Sequence, residues 1–217
     1  MIIFDCDGVL VDSEILSCET DARLMSDAGY PITTDELIQE FIGIPKPMIW
    51  AEIEKRRGTP WPAGLLDRAH SELQDRLATE LRPVDGVAEA LAQLSGPRAV
   101  ASSSGVKKLE LSLQVCGLAE AFGPHVYSAE LVARGKPAPD VFLLAACKVG
   151  ADPAYCLVVE DSAAGVTAAR RAGMRAIGFT GGRHTWPDHA RALQAAGAAE
   201  VIGHMCDLPE TIARFSA

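Results

Sequence analysis

The 217-residue chain lacks several patterns that would each identify a class of protein. No apolar run approaches the roughly 20 residues that a membrane-spanning helix needs. The six cysteines include no Cys-x-x-Cys pair, and the five histidines include no His-x-x-x-His spacing of the kind that binds zinc. No secretory signal is recognisable at the N-terminus. We therefore expect a cytoplasmic protein with reduced thiols, without a zinc site and without a contact to the membrane.

Basic residues are few and scattered along the chain. Lys and Arg number 20 against 29 Asp and Glu, which gives a net charge of −9. A nucleic-acid or acidic-membrane surface needs clustered Lys and Arg, so neither partner is expected. A small-molecule substrate is the better prediction. It can still be an anion, because a metal ion and a few local cations can dominate the field of a site.

The hydrophobic fraction of 48% and the length of the chain allow one substantial core and a smaller module. Residues 13–82 show helical spacing of apolar residues, which predicts an inserted helical cap domain. Residues 1–12 and 83–217 are predicted to form the core domain. Because short apolar runs alternate with alanine-rich helical stretches there, the predicted fold class is α/β with a doubly wound parallel sheet.

The pattern after residue 83 also predicts the individual elements. Candidate strands are residues 98–101, 126–127, 156–159, 176–179 and 200–202. Candidate helices are residues 87–94, 106–116, 139–149, 163–172, 187–196 and 208–215, and four of them are followed by a glycine that stops the helix.

The first apolar run, residues 1–4, ends in two alternate carboxylates, Asp5 and Asp7. Residues two apart on an extended segment share a face, so both acids can address one ligand at the carboxyl end of a strand. The alternative is that both acids only open a turn before Gly8. The rest of the chain has to decide between these two interpretations.

Three later segments place polar residues at similar positions. Ser102 ends one strand and is followed by Ser103, where backbone N–H groups can point at an anion, although a helix cap would look the same. Lys136 stands before a proline that holds the backbone extended, although a lone lysine is usually a surface residue. Glu160 and Asp161 end another strand, and capping explains one of these acids but hardly both.

Four carboxylates at one edge of a sheet need a cation. Oxygen ligands with open positions for water suit Mg²⁺. The motifs DCDGVLVDSE, the strand-terminal Ser102, the Lys136 loop and VVEDSAAGV resemble, in this order, those of the haloacid dehalogenase (HAD) superfamily. The helical insertion is similar to the cap of its phosphoglycolate phosphatase and β-phosphoglucomutase branch. The wider pattern looks most like sugar-phosphate phosphatases of that branch, including those that act on 6-phosphogluconate.

The resemblance implies a role for each motif residue. Asp5 would be the nucleophile that forms an aspartyl-phosphate, and Asp7 the general acid and base. Haloacid dehalogenases lack this second acid, so its presence favours phosphoryl transfer over dehalogenation. Ser102 and Lys136 would bind the transferring phosphoryl group, with Ser103 beside them.

The metal ligands are also implied by the resemblance. Asp5, the backbone carbonyl of Asp7 and Asp161 would hold Mg²⁺, with Glu160 close by or reaching the ion through water. The ion would let an anionic nucleophile approach an anionic phosphate.

The cap carries the signals for the choice of substrate. The mutase branch has a histidine ten residues after the acid/base Asp, and Ser17 stands at this position. This difference favours a phosphatase over a hexose phosphate mutase. The segment 43–46 corresponds to the substrate-facing loop of the family, so Lys46 is a candidate contact for a second anionic group, or else a solvated lysine. A noncatalytic sensor of a phospho-ligand is the third alternative, and we expect a monomer or weak dimer.

The remaining histidines and aromatic residues receive structural interpretations. The five histidines are interpreted as structural. Arg183 and His184 follow a predicted strand on the site's side of the sheet and could contact substrate, but a surface loop is the better prediction. Trp50 and Trp61 are predicted to belong to the small core of the helical segment.

Overall fold

The computed structural model describes residues 1–41, 44 and 46–216. The strands of this part form a sheet in which all neighbours are parallel. They are β1 (Ile2–Phe4), β2 (Arg98–Ser102), β3 (Val126–Ser128), β4 (Leu157–Glu160), β5 (Arg175–Phe179) and β6 (Glu200–Ile202). Their order is β3-β2-β1-β4-β5-β6, so the chain winds outwards from β1 in both directions. The predicted doubly wound parallel sheet is confirmed.

β1 lies in the middle of the sheet because it is apolar on both faces. Ile3 packs in one buried cluster, whereas Ile2 and Phe4 pack in the cluster on the other side. A strand covered by helices on both faces has this near-continuous apolar sequence.

The register of the sheet decides which residues meet at its carboxyl edge. Phe4 pairs with Val100 of β2 on one side and with Val159 of β4 on the other. The backbone N–H of Asp5 donates to the carbonyl of Val159 at 2.9 Å. Asp5 and Glu160 therefore leave the sheet side by side.

The helices cover both faces of the sheet and fill the segment after β1. They are α1 (Ser13–Asp27), α2 (Thr34–Phe41), α3 (Lys46–Arg57), α4 (Leu65–Glu80), α5 (Val87–Gln93), α6 (Val106–Val115), α7 (Ala119–Phe122), α8 (Asp140–Val149), α9 (Ala163–Arg171), α10 (His189–Ala196) and α11 (Leu208–Ser216). The predicted helices all occur, and α7 is an additional short one. α10 begins two residues later than predicted, after a turn in which the N–H of His189 donates to the carbonyl of Trp186.

Residues 13–80 contain four helices and, where the structure describes them, no strand. Trp50 and Trp61 pack edge to face with their ring centroids 5.2 Å apart, and the indole N–H of Trp61 donates to the carbonyl of Trp50. Both tryptophans pack in an apolar cluster as predicted, but this cluster is not confined to the helical segment, because it also includes Ile2 and Phe4 of β1. No helix in the described ranges is both long and apolar enough to cross a membrane.

The chain enters and leaves this helical segment at one place. The N–H of Asp12 donates to the carbonyl of Arg82, and the N–H of Val84 donates to the carbonyl of Leu10. The two chain segments that cross here, residues 10–12 and 82–84, are therefore hydrogen-bonded to each other directly beside the carboxyl edge of the sheet.

Candidate active site

Lys136 lies between two carboxylates of neighbouring strands. Asp5 directly follows β1, and Glu160 is the last residue of β4. Nζ of Lys136 is 2.5 Å from Oδ1 of Asp5 and 2.5 Å from Oε1 of Glu160, and the lysine side chain is 4% exposed. The ring of Phe142 lies 4.8 Å from the same nitrogen. Burial disfavours the charged amine, but the two carboxylates outweigh it and raise the pKa of Lys136. The side chain therefore stays a cation.

Asp5, Glu160 and Asp161 form a buried acidic cluster. One oxygen of each lies within 4.8 Å of the others. Burial raises the pKa of Asp5, a shift that Lys136 opposes and the two neighbouring acids enlarge. Burial also raises the pKa of Asp161, to about 6. Because Lys136 offers a single charge to three carboxylates, the cluster can accept a further cation, and its oxygen ligands fit a divalent metal ion.

Glu160 is held at both of its oxygens. Oε1 pairs with Lys136, and Oε2 accepts hydrogen bonds from the backbone N–H and the hydroxyl of Ser162 at 2.8 and 2.9 Å. The hydroxyl of Ser162 also accepts from the N–H of Gly165 and so caps α9. Asp5 and Asp161 are consequently freer than Glu160 to face a metal ion directly.

Gly8 allows the loop after β1 to pass over Asp161. Its φ is +79°, and a Cβ at this position would overlap the Asp161 carboxylate. A residue with a side chain would therefore be both strained and in collision here. The glycine in the sequence Asp5-Cys6-Asp7-Gly8 thus brings the loop and the β4 carboxylate together.

Replacing Gly165 with Ala tests the position of Glu160. A Cβ on Gly165 would overlap the Glu160 carboxylate. We expect Gly165→Ala to lower the free energy of unfolding by about 1–3 kcal/mol, although Ala is normally the better helix former. Denaturant unfolding measures this, with Thr167→Ala on the same helix as control. An equally stable or more stable Gly165→Ala variant would show that Glu160 is not fixed in this position.

Asp7 has the largest number of polar partners in the site. Oδ1 accepts from the hydroxyl of Ser13 at 2.5 Å and forms an ion pair with Nζ of Lys108 at 2.7 Å. Oδ2 accepts from the hydroxyls of Ser104 at 2.6 Å and Ser102 at 3.2 Å. Burial opposes ionisation, but the Lys108 charge and the hydrogen bonds outweigh it and lower the pKa of Asp7 well below its usual range.

Ser102 and Lys46 also have partners within the protein. Ser102 is buried, and its hydroxyl donates to Asp7 and accepts from the backbone N–H of Ser104. Ser103 is exposed. The ammonium of Lys46 pairs with the buried Asp21 of α1 at 2.8 Å. Of the predicted substrate-facing loop, residues 43 and 45 lie outside the described residues.

The prediction of a surface loop at Arg183 and His184 is wrong for His184. Arg183 is exposed, but His184 is 1% exposed, and its Nε2 lies 2.8 Å from Oδ2 of Asp161. The approach is off the axis of the ring N–H, so the contact is a charge contact more than a directed hydrogen bond. Only its place after a strand, on the carboxyl side of the sheet, could have indicated this role.

His189 holds the other end of Asp161. Its Nε2 lies 2.5 Å from the backbone carbonyl of Asp161, and its Nδ1 lies 3.0 Å from the hydroxyl of Thr185. Trp186 stacks on the ring with the centroids 3.8 Å apart. Burial lowers the pKa of His189 to about 4, so the ring is neutral at pH 7. The loop after β5 and the first residue of α10 thus hold Asp161 at its carboxylate and at its main chain.

The family of the chain follows from a match that includes every predicted site residue. The model of the haloacid dehalogenase-like hydrolases matches residues 2–179. The chain belongs to the haloacid dehalogenase-like hydrolase family. The matched residues include strands β1 to β5 of this hydrolase. His184 and His189 lie beyond the end of the match.

Three similar proteins extend the comparison. A conserved haloacid dehalogenase-like protein of unknown function from Agrobacterium tumefaciens is 46% identical, with a TM-score of 0.95 over 100% of this chain and 98% of that one. A family hydrolase from Deinococcus radiodurans, whose structure has bound phosphate and sodium, is 32% identical, with a TM-score of 0.87 over 99% and 95%. The 6-phosphogluconate phosphatase of Escherichia coli K12 is 25% identical over 86% of this chain and 85% of its own.

The family and its relatives confirm the class of activity that the motifs indicated. The protein is an enzyme, a phosphatase among the haloacid dehalogenase-like hydrolases. The buried acidic cluster fits the divalent metal ion of such enzymes.

Proposed function

We propose that this hydrolase is a Mg²⁺-dependent phosphatase that cleaves a small phosphomonoester, a sugar phosphate or a phosphorylated sugar acid, through an aspartyl-phosphate on Asp5. One observation carries the proposal. The Asp5 carboxylate is buried between a lysine on one side and further carboxylates on the other. This environment supplies a nucleophile, charge neutralisation and ligands for a metal ion in one place.

Asp5 and Asp7 divide the reaction between them. A carboxylate oxygen of Asp5 attacks phosphorus, and the bond from phosphorus to the sugar oxygen breaks. Asp7, whose pKa is lowered in the free enzyme, has to take up a proton with the substrate and gives it to the leaving alkoxide. Water then attacks the phosphorus of the acyl phosphate, and Asp7 takes the proton of this water. The bond between phosphorus and Asp5 breaks, which releases phosphate, restores the Asp5 carboxylate and leaves Asp7 protonated for the next cycle.

Lys136 and Glu160 act on the charge of the nucleophile. Lys136 shares its charge between Asp5 and Glu160, so it reduces the repulsion between the carboxylate and an approaching phosphate. Glu160 in turn fixes Lys136, since its second oxygen is held by Ser162. The position of the lysine is therefore set before the substrate binds.

Asp5, Asp161 and the backbone carbonyl of Asp7 would hold Mg²⁺. Glu160 lies in the same cluster, close enough to contribute through water. When bound, the ion would neutralise the nucleophile and the non-bridging phosphoryl oxygens. His184 and His189 keep Asp161 in place for this role.

Ser102 and Ser103 are the proposed phosphate contacts on β2 and the loop behind it. Ser102 ends β2 beside Asp7, and Ser103 is exposed directly after it. A backbone N–H at this place can donate to a non-bridging oxygen, and the Ser102 hydroxyl can do so if it exchanges its hydrogen bond to Asp7. Residues 13–82 would then be the cap over this edge, and residues 1–12 with 83–217 the core, in a monomer or weak dimer.

The choice of substrate would depend on the cap. Lys46 remains our candidate contact for a second anionic group, for which it would have to exchange its pairing with Asp21. The similarity to the 6-phosphogluconate phosphatase of E. coli supports a phosphorylated sugar acid as one substrate to test.

The test of this function is the release of inorganic phosphate from a panel of sugar phosphates and phosphorylated sugar acids, with Mg²⁺ or with EDTA. We expect release that requires Mg²⁺ and is strongest for one group of the panel. Interconversion of hexose phosphates without release would favour a mutase. Binding without any turnover would favour a phospho-ligand sensor, and either result would contradict the proposal.

A further inference from the structure

Lys108 is a partly buried cation that no motif of the sequence pointed to. It lies in the first turn of α6, where the helix dipole disfavours a positive charge. Its Nζ is nevertheless 2.7 Å from Oδ1 of Asp7, with the side chain 22% exposed. A lysine in an unfavourable helix position, aimed at the proposed acid, needs an explanation beyond surface charge.

The partners of Asp7 come from two parts of the chain. Ser13 begins α1, on the helical side of the crossing, whereas Ser104 belongs to the loop after β2. Lys108 belongs to the core helix that follows this loop. Among the described residues, Lys108 is the one cation that forms an ion pair with Asp7.

The hydroxyls and the ammonium hold the carboxylate in different ways. A serine hydroxyl can rotate and can either donate or accept, so it tolerates several orientations of the acid. An ammonium only donates, and within a partly buried site its charge attracts one oxygen more strongly than a neutral donor does. Lys108 therefore contributes the strongest single attraction on Asp7, and it acts on one oxygen of the carboxylate.

We propose that Lys108 is a positioning residue for Asp7, which keeps the carboxyl group beside β2 in the orientation from which it serves the leaving alkoxide. The inference rests on the proposed role of Asp7 as acid and base. Lys108 does not need to touch the substrate, because its effect passes through the orientation of Asp7.

A purely structural role of Lys108 makes a different prediction. If the ion pair only joined α6 to the loop after β1, its loss would slow all substrates alike. If Lys108 positions the acid, the loss of activity on removing the ion pair depends on the leaving group of the substrate. p-Nitrophenolate leaves without a proton, whereas the alkoxide of a hexose 6-phosphate needs one.

The experiment compares kcat/KM of Lys108→Met, Lys108→Arg and wild type on p-nitrophenyl phosphate and on a hexose 6-phosphate. We expect Lys108→Met to lose about 100-fold on the hexose phosphate, the lower end of what general acid catalysis contributes, and only a few-fold on the aryl phosphate. Lys108→Arg should recover most of the loss. Lys107→Met, which changes the exposed neighbour on the same helix, should match wild type on both substrates.

Equal losses on both substrates, no loss on either, or a failure of Lys108→Arg to recover activity would overturn the proposal. Lys108→Gln replaces Lys108→Met if the latter unfolds. A wild-type enzyme that releases phosphate from neither substrate would contradict the proposed function instead, so the two failures are distinguishable.

Discussion

Asp5→Asn should reduce phosphate release by at least about 1000-fold, because an amide cannot form the acyl phosphate and loss of a nucleophile typically costs this much or more. The variant should still bind phosphate, since Asn has nearly the same shape. It should also remain folded. Burial and the neighbouring acids already disfavour the charge on Asp5, so removing this charge relieves repulsion in the cluster.

The control for this variant is Asp152→Asn. Asp152 is exposed and precedes β4, at the opposite end of that strand from Glu160. It should keep full activity. Activity of Asp5→Asn within about tenfold of wild type would rule out Asp5 as the nucleophile, since this is far less than such a loss costs.

Lys136→Met should have the second large effect, on both activity and stability. Without the ammonium, Asp5 and Glu160 face each other in a buried site without their shared cation. We expect kcat/KM to fall by about 1000-fold, because the nucleophile then repels the phosphate. Removing one partner of a buried ion pair also typically costs about 3–5 kcal/mol. Protonation of Asp5 will reduce this cost.

The pH dependence of stability follows from the same charges. Burial already raises the pKa of folded Asp5 above its unfolded value, and loss of Lys136 raises it further. The folded variant then binds more protons than the unfolded chain, so its stability falls as the pH rises above the pKa of an unfolded carboxyl group. Denaturant unfolding should show a larger loss of stability at pH 8 than at pH 5.

The control for Lys136→Met is Lys148→Met, which removes an exposed lysine of α8. It should not change the activity or the pH dependence. A Lys136→Met enzyme with near-normal activity, or one that is equally destabilised at both pH values, would show that the lysine does not neutralise Asp5.

The backbone positions of the site could be predicted because they follow from strand order and register. An apolar run that ends in a carboxylate and a parallel sheet centred on β1 are enough to bring Asp5 and Glu160 to one edge. The root of Lys136 was visible from the proline after it. Its exact neighbours were not visible, since they depend on how α8 and its loop pack on the sheet.

The partners of Asp7 and Asp161 could not be predicted. Lys108 looks like any lysine on a helix surface until α6 is placed against the loop after β1. His184 follows two glycines and looks like a loop residue, yet its ring is buried against Asp161. Lys46 shows the opposite case. The family resemblance predicted it as a substrate contact, but in the structure its ammonium pairs with Asp21 of α1. Such pairings depend on side-chain packing between distant elements.

The central claim is that Asp5 carries the phosphoryl group, and acid quenching during turnover of a ³²P-labelled hexose 6-phosphate tests it most directly. The account predicts label on the N-terminal peptide of the wild-type enzyme, conversion of Asp5 to homoserine when the quenched protein is reduced with borohydride, and no label on Asp5→Asn. Phosphate release by wild type without any labelled protein, or label on a residue other than Asp5, would contradict it.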